Sequence, residues 1–448
     1  MVDSPYITKE LRDYVTGFKI EELVSQGINE VARNMPADPY SFLAGFFANL
    51  SEEPPTIKEI HAREVHLETG RTLEVTVECK CKGLELKGPG FMLGREEHEE
   101  EIQVEEVLQL NETLRDQEAT NQRKIDSLIG GLSYTAAVTL SHACVIAAGY
   151  FRKVPLYLHV FEKYTRREWE GNHFPKVLMS LLHTGKAVGS KVKFTKFYVC
   201  ESHSHWSAQE KLENFRKIFD CCKKILGSSK GGEASIRMSG GAFIPNCDTI
   251  TECLKILDDS VNQAGLRTGE DVCLAIDCNA DDYYNSESEK YEMEGFKSPL
   301  ESNQLGDYYE KLMSERPYIS FIQDPFATKD LEGWKDFTQK HPNRKVATQR
   351  LCTSPQTVTE LPEGWAPSLV NMHYQQTFTE MVDLAKAATK SSMGLIVREN
   401  PVETQSTYLA HLATGFAAEY LEVSPPFKFQ HISKYNEIFE IKNSISNS

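Results

Sequence analysis

Polar residues with chemical capacity close several short apolar runs of this 448-residue chain. Asp277 follows Ala275-Ile276, Gln323 and Asp324 follow Phe321-Ile322, Gln349 and Arg350 follow Ala347-Thr348, and Asn371 lies in Leu369-Val370-Asn371-Met372. Magnesium prefers hard, charged oxygens, which an aspartate supplies. An amide oxygen can ligate a metal but brings no charge. Asparagine takes no proton from carbon at neutral pH, and an inward-turned arginine repels a cation. These positions together offer little acid–base or metal chemistry.

Other signals read as ordinary surface. His203 and His205 have a spacing that can bind a metal, but a polar loop fits Glu201-Ser202-His203-Ser204-His205-Trp206 better. The acidic run Glu96 to Glu101, broken by His98, reads as a solvated or partner-facing loop rather than a calcium site. Gly231-Gly232 lacks a phosphate-loop lysine at the right spacing and reads as a turn.

The elements that must position these residues follow from pattern. Leu11, Tyr14, Val15, Phe18, Leu23, Val24, Ile28, Val31 and Met35 predict one long amphipathic helix ending at Met35-Pro36. Asp38 and Pro39 start a second, whose surface carries Tyr40, Phe42, Leu43, Phe46, Phe47 and Leu50. About 50 residues cannot readily enclose that surface alone, so dimerisation is expected. Residues 53–58 read as a linker, 59–170 as an α+β domain opened by a β-hairpin, and 171–448 as strands alternating with helices. The candidate strands include Val192 to Cys200, Val272 to Cys278, Ile319 to Asp324, Val346 to Thr348 and Leu395 to Val397. Such alternation suggests a barrel, with its chemistry at the C-terminal strand ends.

Composition narrows the partners. Lys+Arg number 49 against 65 Asp+Glu, a net charge of −16. That disfavours nucleic acid and anionic membranes. No stretch approaches 18 apolar residues, so no membrane span is expected. Eleven cysteines without zinc-type spacing predict free thiols in a reducing, intracellular compartment.

Read in order, the strings His61-Ala62-Arg63-Glu64-Val65, Val154-Pro155-Leu156-Tyr157, Asp324-Pro325-Phe326 and Glu403-Thr404 resemble the enolase family over about 390 residues. The resemblance implies an enolase-type α/β TIM barrel with an N-terminal α+β capping domain. It also implies where catalysis should lie and that most of it is missing. Asp277 stands at a retained magnesium ligand, while Gln323 and Gln349 stand where enolases carry two further carboxylates. Gly240 replaces the proton-handling glutamate, and Asn371 the lysine base. Ala187 replaces a histidine, Lys196 a glutamate, and Arg398-Glu399-Asn400-Pro401 the phosphate-binding Ser-His-Arg-Ser. The loop Gly88 to Gly94 lacks the hydroxyl of a second metal contact, and the substrate lysine falls near Ala418.

The string Met35-Pro36-Ala37-Asp38-Pro39-Tyr40 resembles the dimerisation-docking (RIIa/Dpy-30-like) domain of protein kinase A regulatory subunits and Dpy-30-like proteins, over about Pro5 to Ser51. That implies an all-α hairpin, residues 1–52, which forms a homodimer. Its groove, made from Leu23, Ile28, Val31, Phe42, Phe46 and Phe47, would hold an amphipathic helix of an anchoring protein. Enolase-like chains with this N-terminus are similar to the enolase-4 group of cilia and flagella. The expectation is a cofactor-free pseudoenzyme in the cytoplasm, an adaptor of the axoneme. The alternatives are an active, magnesium-dependent phosphopyruvate hydratase of glycolysis, and a sensor holding another metabolite in the old pocket.

Overall fold

The computed structural model describes all residues except 1–7, 52, 68–69, 95–103, 166, 172, 203–205, 229–235, 363–365, 401 and 447–448. His203, His205, the run 96–101 and Gly231-Gly232 therefore lie outside the described residues.

The N-terminal segment forms α1 (Lys9–Gly17), α2 (Ile20–Asn34) and α3 (Pro39–Leu50). The single long helix expected through residue 35 is interrupted. Lys19 takes a left-handed conformation, φ 49°, just after Gly17 and Phe18. Met35 ends α2 in the same way, and Asp38 caps α3 by accepting from the amides of Tyr40 and Ser41. Gly27 lets α2 approach α3 closely, since a Cβ there would lie 3.0 Å from the Phe46 ring. Gly27 is the one buried residue of the three helices.

The capping domain begins three residues earlier than expected. β1 (Thr56–Leu67) starts inside the stretch read as linker and pairs antiparallel with β2 (Gly70–Cys81). β3 (Leu84–Lys87) and β4 (Phe91–Met92) pair with β2. The buried helices are α4 (Gln122–Leu128), α5 (Tyr134–Arg152) and α6 (Leu156–Tyr164). By length and composition α5 could cross a membrane, a candidate that a scan for uninterrupted apolar runs overlooks; 89% of its apolar window is buried inside the fold. All eleven cysteines are free thiols.

The barrel strands are β5 (Lys176–His183), β6 (Lys196–Glu201), β7 (Val272–Asp277), β8 (Ile319–Gln323), β9 (Lys345–Thr348), β10 (Leu369–Met372), β11 (Gly394–Arg398) and β12 (Tyr420–Val423). β6 runs antiparallel to both neighbours, the others are parallel, and β12 pairs with β5 to close an eight-stranded barrel. β6 starts at Lys196 rather than Val192. Helices such as α7 (Ala208–Gly227), α8 (Ile250–Gln263), α9 (Ser302–Glu315), α10 (Leu331–Lys340), α11 (Phe378–Lys390) and α12 (Tyr408–Gly415) shield the outside, and α13 (Phe429–Ser446) is the last described helix. Inside, Leu178, Tyr198, Cys200, Ala275, Phe321, Ala347, Leu369, Ile396 and Tyr420 form a separate apolar core. Burying such side chains is worth about 25 cal/mol per Å² of apolar surface.

Candidate functional site

Side chains alternate along a strand, so the residue two positions from a core residue, after it on the parallel strands and before it on antiparallel β6, also faces the barrel interior. Applied to all eight strands, this rule places a ring above the core: Ser180, Lys196, Asp277, Gln323, Gln349, Asn371, Arg398 and Glu422. Five of the positions singled out from sequence, Lys196, Asp277, Gln323, Gln349 and Asn371, fall in this one layer. Gly240, Ala187 and Glu399 join part of the ring around a cavity of about 400 Å³ at the barrel mouth. The docking residues Leu23, Ile28, Val31, Phe42, Phe46 and Phe47 lie apart, on α2 and α3.

Glu422 organises the layer. Its carboxylate is buried, 3% exposed, at the end of β12. Lys196 Nζ lies 2.7 Å from Oε1, and Tyr198 Oη donates to the same oxygen at 3.2 Å. Asn371 Nδ2 donates to Oε2 at 2.7 Å and to Gln323 Oε1, also at 2.7 Å. Burial raises the pKa of Glu422, but Lys196, Arg398 and these hydrogen bonds outweigh it and hold the carboxyl below its ordinary range. The ionised carboxylate fixes which way Asn371 points. Asn371 in turn fixes Gln323. The Gln323 oxygen is thereby used, and its buried Nε2, a donor, has no partner.

Sequence reasoning missed Glu422. It placed the substrate lysine near Ala418, but Ala418 is wholly buried and precedes β12. The C-terminal end of that strand belongs to Glu422. The signal available was the alternation Tyr420–Glu422 beside Ile396–Arg398, with which Glu422 is in register.

Asp277 and Asp324 are two further buried carboxylates, at the ends of β7 and β8. Burial raises Asp277 above the ordinary range, opposed chiefly by Lys196, and Oδ1 has no hydrogen-bond partner. Lys196 is the register neighbour of Asp277 on one side and of His183 on the other. Asp324 adopts φ 43°, a left-handed conformation that aspartate tolerates better than most residues. It accepts from Thr348 Oγ1 at 2.8 Å and from the backbone amides of Gln349 and Arg350. Burial and the neighbouring Asp277 push Asp324 up to about 7.

Gly240 and Gly241 turn the hairpin Arg237–Ser239/Ala242–Ile244, both with positive φ, 56° and 91°. Glycine meets that two-residue turn without strain. A Cβ on Gly241 would approach His431 Nε2 to 3.0 Å. His431 Nδ1 lies 3.0 Å from Glu399, whose Oε2 also accepts from the Ser424 amide. Glu399 is thus engaged within the protein. Gly94 packs so tightly on the Val402 backbone that any Cβ there would overlap it, which seats the capping loop beside the mouth.

Residues 172–448 match the family model described as the enolase C-terminal TIM barrel domain. The chain belongs to the enolase family. Enolase of Lactobacillus helveticus is 27% identical over 353 residues, covering 75% of this chain and 79% of that protein. Enolase of Lactobacillus delbrueckii subsp. bulgaricus is 26% identical over 420 residues, covering 87% and 96%.

The magnesium ion implied by this membership meets a poor donor set. Asp277 offers a free carboxylate oxygen. The Gln323 oxygen already accepts from Asn371 and brings no charge, and the oxygens of Asp324 are engaged. Lys196 stands beside Asp277 on the neighbouring strand, and Arg350 lines the cavity. Magnesium needs about six oxygens in octahedral array, and these residues do not fit it. Among the described residues, the grouping of three close ligand atoms is Glu59, His61 and Glu78 on the capping hairpin, where the Lys58 amine already lies 3.1 Å from Glu78.

Two stability predictions follow from this wiring. Lys196→Met removes the ammonium that pairs directly with the buried Glu422 charge, leaving neutral hydrogen-bond donors and the neighbouring Arg398, and is expected to cost about 3 kcal/mol in urea unfolding at pH 7. Glu422 has a lowered folded pKa, so its contribution in the parent protein is present above the unfolded value and fades as pH falls. In Lys196→Met the loss should instead shrink on acidification, as Glu422 takes a proton. Asp324 has the opposite sign. Its stabilisation is full below the unfolded value of 3.8 and is lost as pH rises through about 7. Asp324→Asn should therefore gain stability relative to the parent between pH 5 and 8, by at most roughly 4 kcal/mol.

Proposed function

We propose that this enolase-family chain is a pseudoenzyme whose barrel serves as the body of a dimeric adaptor, anchored through α1–α3 in the axoneme of a cilium or flagellum. The observation that carries the loss of catalysis is the relay Lys196–Glu422–Asn371–Gln323. An internal ion pair and a chain of amides occupy the layer where a metal and a lysine base would act. No cofactor is part of this reading.

The adaptor role is supported by the apolar surface of the N-terminal helices. Phe18 is 63% exposed, Ile28 56%, and Phe47 38%. A second copy would cover much of it and leave a groove for an amphipathic helix of an anchoring protein. The axonemal assignment rests on the likeness of such N-termini to those of the ciliary enolase-4 group. The net charge of −16 argues against nucleic acid as a partner. The test is turnover of 2-phosphoglycerate by the full-length protein with magnesium, with Asp277→Ala prepared in parallel. Turnover that disappears in Asp277→Ala would overturn the pseudoenzyme reading. Turnover equal in both preparations would expose a contaminating enolase and leave none assigned to this chain.

A further inference from the structure

Most charges at the barrel mouth are already matched. Glu422 is paired with Lys196, Glu399 accepts from the Ser424 amide and lies 3.0 Å from His431 Nδ1, and Asp324 accepts from three donors. Arg350 stands at the rim, 43% exposed and 4.0 Å from Asp282. Beside the amide atoms Gln323 Nε2 and Asn371 Oδ1, two charged groups of the ring keep unmet hydrogen-bonding capacity. Asp277, only 6% exposed, has a buried Oδ1 with no hydrogen-bond partner. Arg398 has a buried Nε in the same condition.

Their placement decides what could satisfy both. Asp277 ends β7 and Arg398 ends β11, four strands apart in either direction round the closed barrel. They therefore face each other across the mouth, one negative and one positive. One flank between them carries the amides of Gln323, Gln349 and Asn371; the other carries Ser180 and the internally neutralised Lys196–Glu422 pair. The cavity they border is about 400 Å³, within the range of small-molecule sites.

We propose that this mouth is a metal-free receptor for a small zwitterion, with Asp277 taking its ammonium group and Arg398 its carboxylate. The inference rests on the reading that no magnesium occupies Asp277. A monoanion would satisfy Arg398 and leave Asp277 buried and unmet; a monocation would do the reverse. Leaving a buried charge without a partner is costly, so the site selects for both ends of the ligand. The amides and the charges already partnered within the protein leave the flanks to the uncharged stem between the two ends. A phosphorylated dianion fits poorly, because one face of the ring is a carboxylate.

The test is calorimetric titration of the full chain in EDTA with glycine, β-alanine and 4-aminobutyrate, against butyrate and butylammonium. At least one zwitterion is expected to bind about 10-fold or more tightly than either singly charged compound, the size of one charge-assisted hydrogen bond. Asp277→Asn should abolish the preference over butyrate, and Arg398→Gln the preference over butylammonium. Arg398→Lys keeps the charge and should retain part of that preference, which separates lost recognition from lost folding; thermal melts of each variant check the latter. Equal binding of butyrate and the zwitterions, or no binding of any zwitterion at tens of millimolar, overturns the proposal. The same titration with 2-phosphoglycerate and magnesium separates the two readings. Magnesium-dependent binding would sink the metal-free reading itself. Its absence, without zwitterion preference, would sink this inference alone.

Discussion

Full-length protein given 2-phosphoglycerate and millimolar magnesium is expected to form no phosphoenolpyruvate above the level of an Asp277→Ala control. Removing a proton from carbon requires a base, and the position that resemblance assigns to it is Asn371. Expelling hydroxide requires an acid, and that position is Gly240, the first residue of a tight turn with φ 56°. A positioned acid or base contributes about 10²- to 10⁴-fold each. Losing both removes at least about 10⁴-fold even before the metal is considered, although residues acting as a unit do not combine simply. The mouth also lacks the metal ligands that would stabilise a doubly charged intermediate, with amides at Gln323 and Gln349, and Lys196 is committed to Glu422 at 2.7 Å. Restoring one group should not restore the reaction. Asn371→Lys would set a second ammonium against Glu422 and break the amide bridge from Glu422 to Gln323. The variant is expected to remain inactive in a coupled absorbance assay. Activity in Asn371→Lys alone would show that the metal and acid positions are still competent.

The barrel was legible because its strands carry strong local patterns and end in polar residues, and because Asp324-Pro325-Phe326 and His61-Ala62-Arg63 fix the order along the chain. The ring could be read at five strand ends for the same reason. Three things were not legible. Glu422 lies beyond a stretch where lengths differ from the family pattern, so counting from Thr414-Gly415 reached Ala418 instead. Only the pairing of β12 with β11 corrects the count. The orientation of Gln323 depends on Asn371, 48 residues away, and through it on Glu422, 51 residues further along, and no local pattern encodes such a relay. The break at Lys19 departs from an otherwise continuous apolar stripe. Gly17 was its one local signal, and helical periodicity alone runs straight through it.

The N-terminal helices carry the second large expectation. Residues 1–52, isolated, should sediment as a dimer, and Ile28→Asp should make them monomeric. Within one copy, α1, α2 and α3 together bury only Gly27 fully, while Leu11, Tyr14, Phe18, Ile28 and Phe47 stay exposed. Helices this short are marginal in water unless an apolar face is covered. Assembly and helix formation should therefore be coupled, so that diluting the segment lowers its helical circular dichroism together with its mass. Ile28 lies near the middle of α2, on the turn after Gly27, where α3 already approaches closely. An aspartate buried there without a partner is expected to cost at least about 2 kcal/mol, a weakening of roughly 30-fold or more. In the full chain the same substitution should leave the barrel's thermal transition unchanged, since hydrophobic burial around Phe321 and Tyr420 does not involve α2. It should also release the protein from any amphipathic anchoring helix. An isolated segment that is monomeric yet helical, or a full chain that keeps its cellular location without residues 1–52, would reduce these helices to packing.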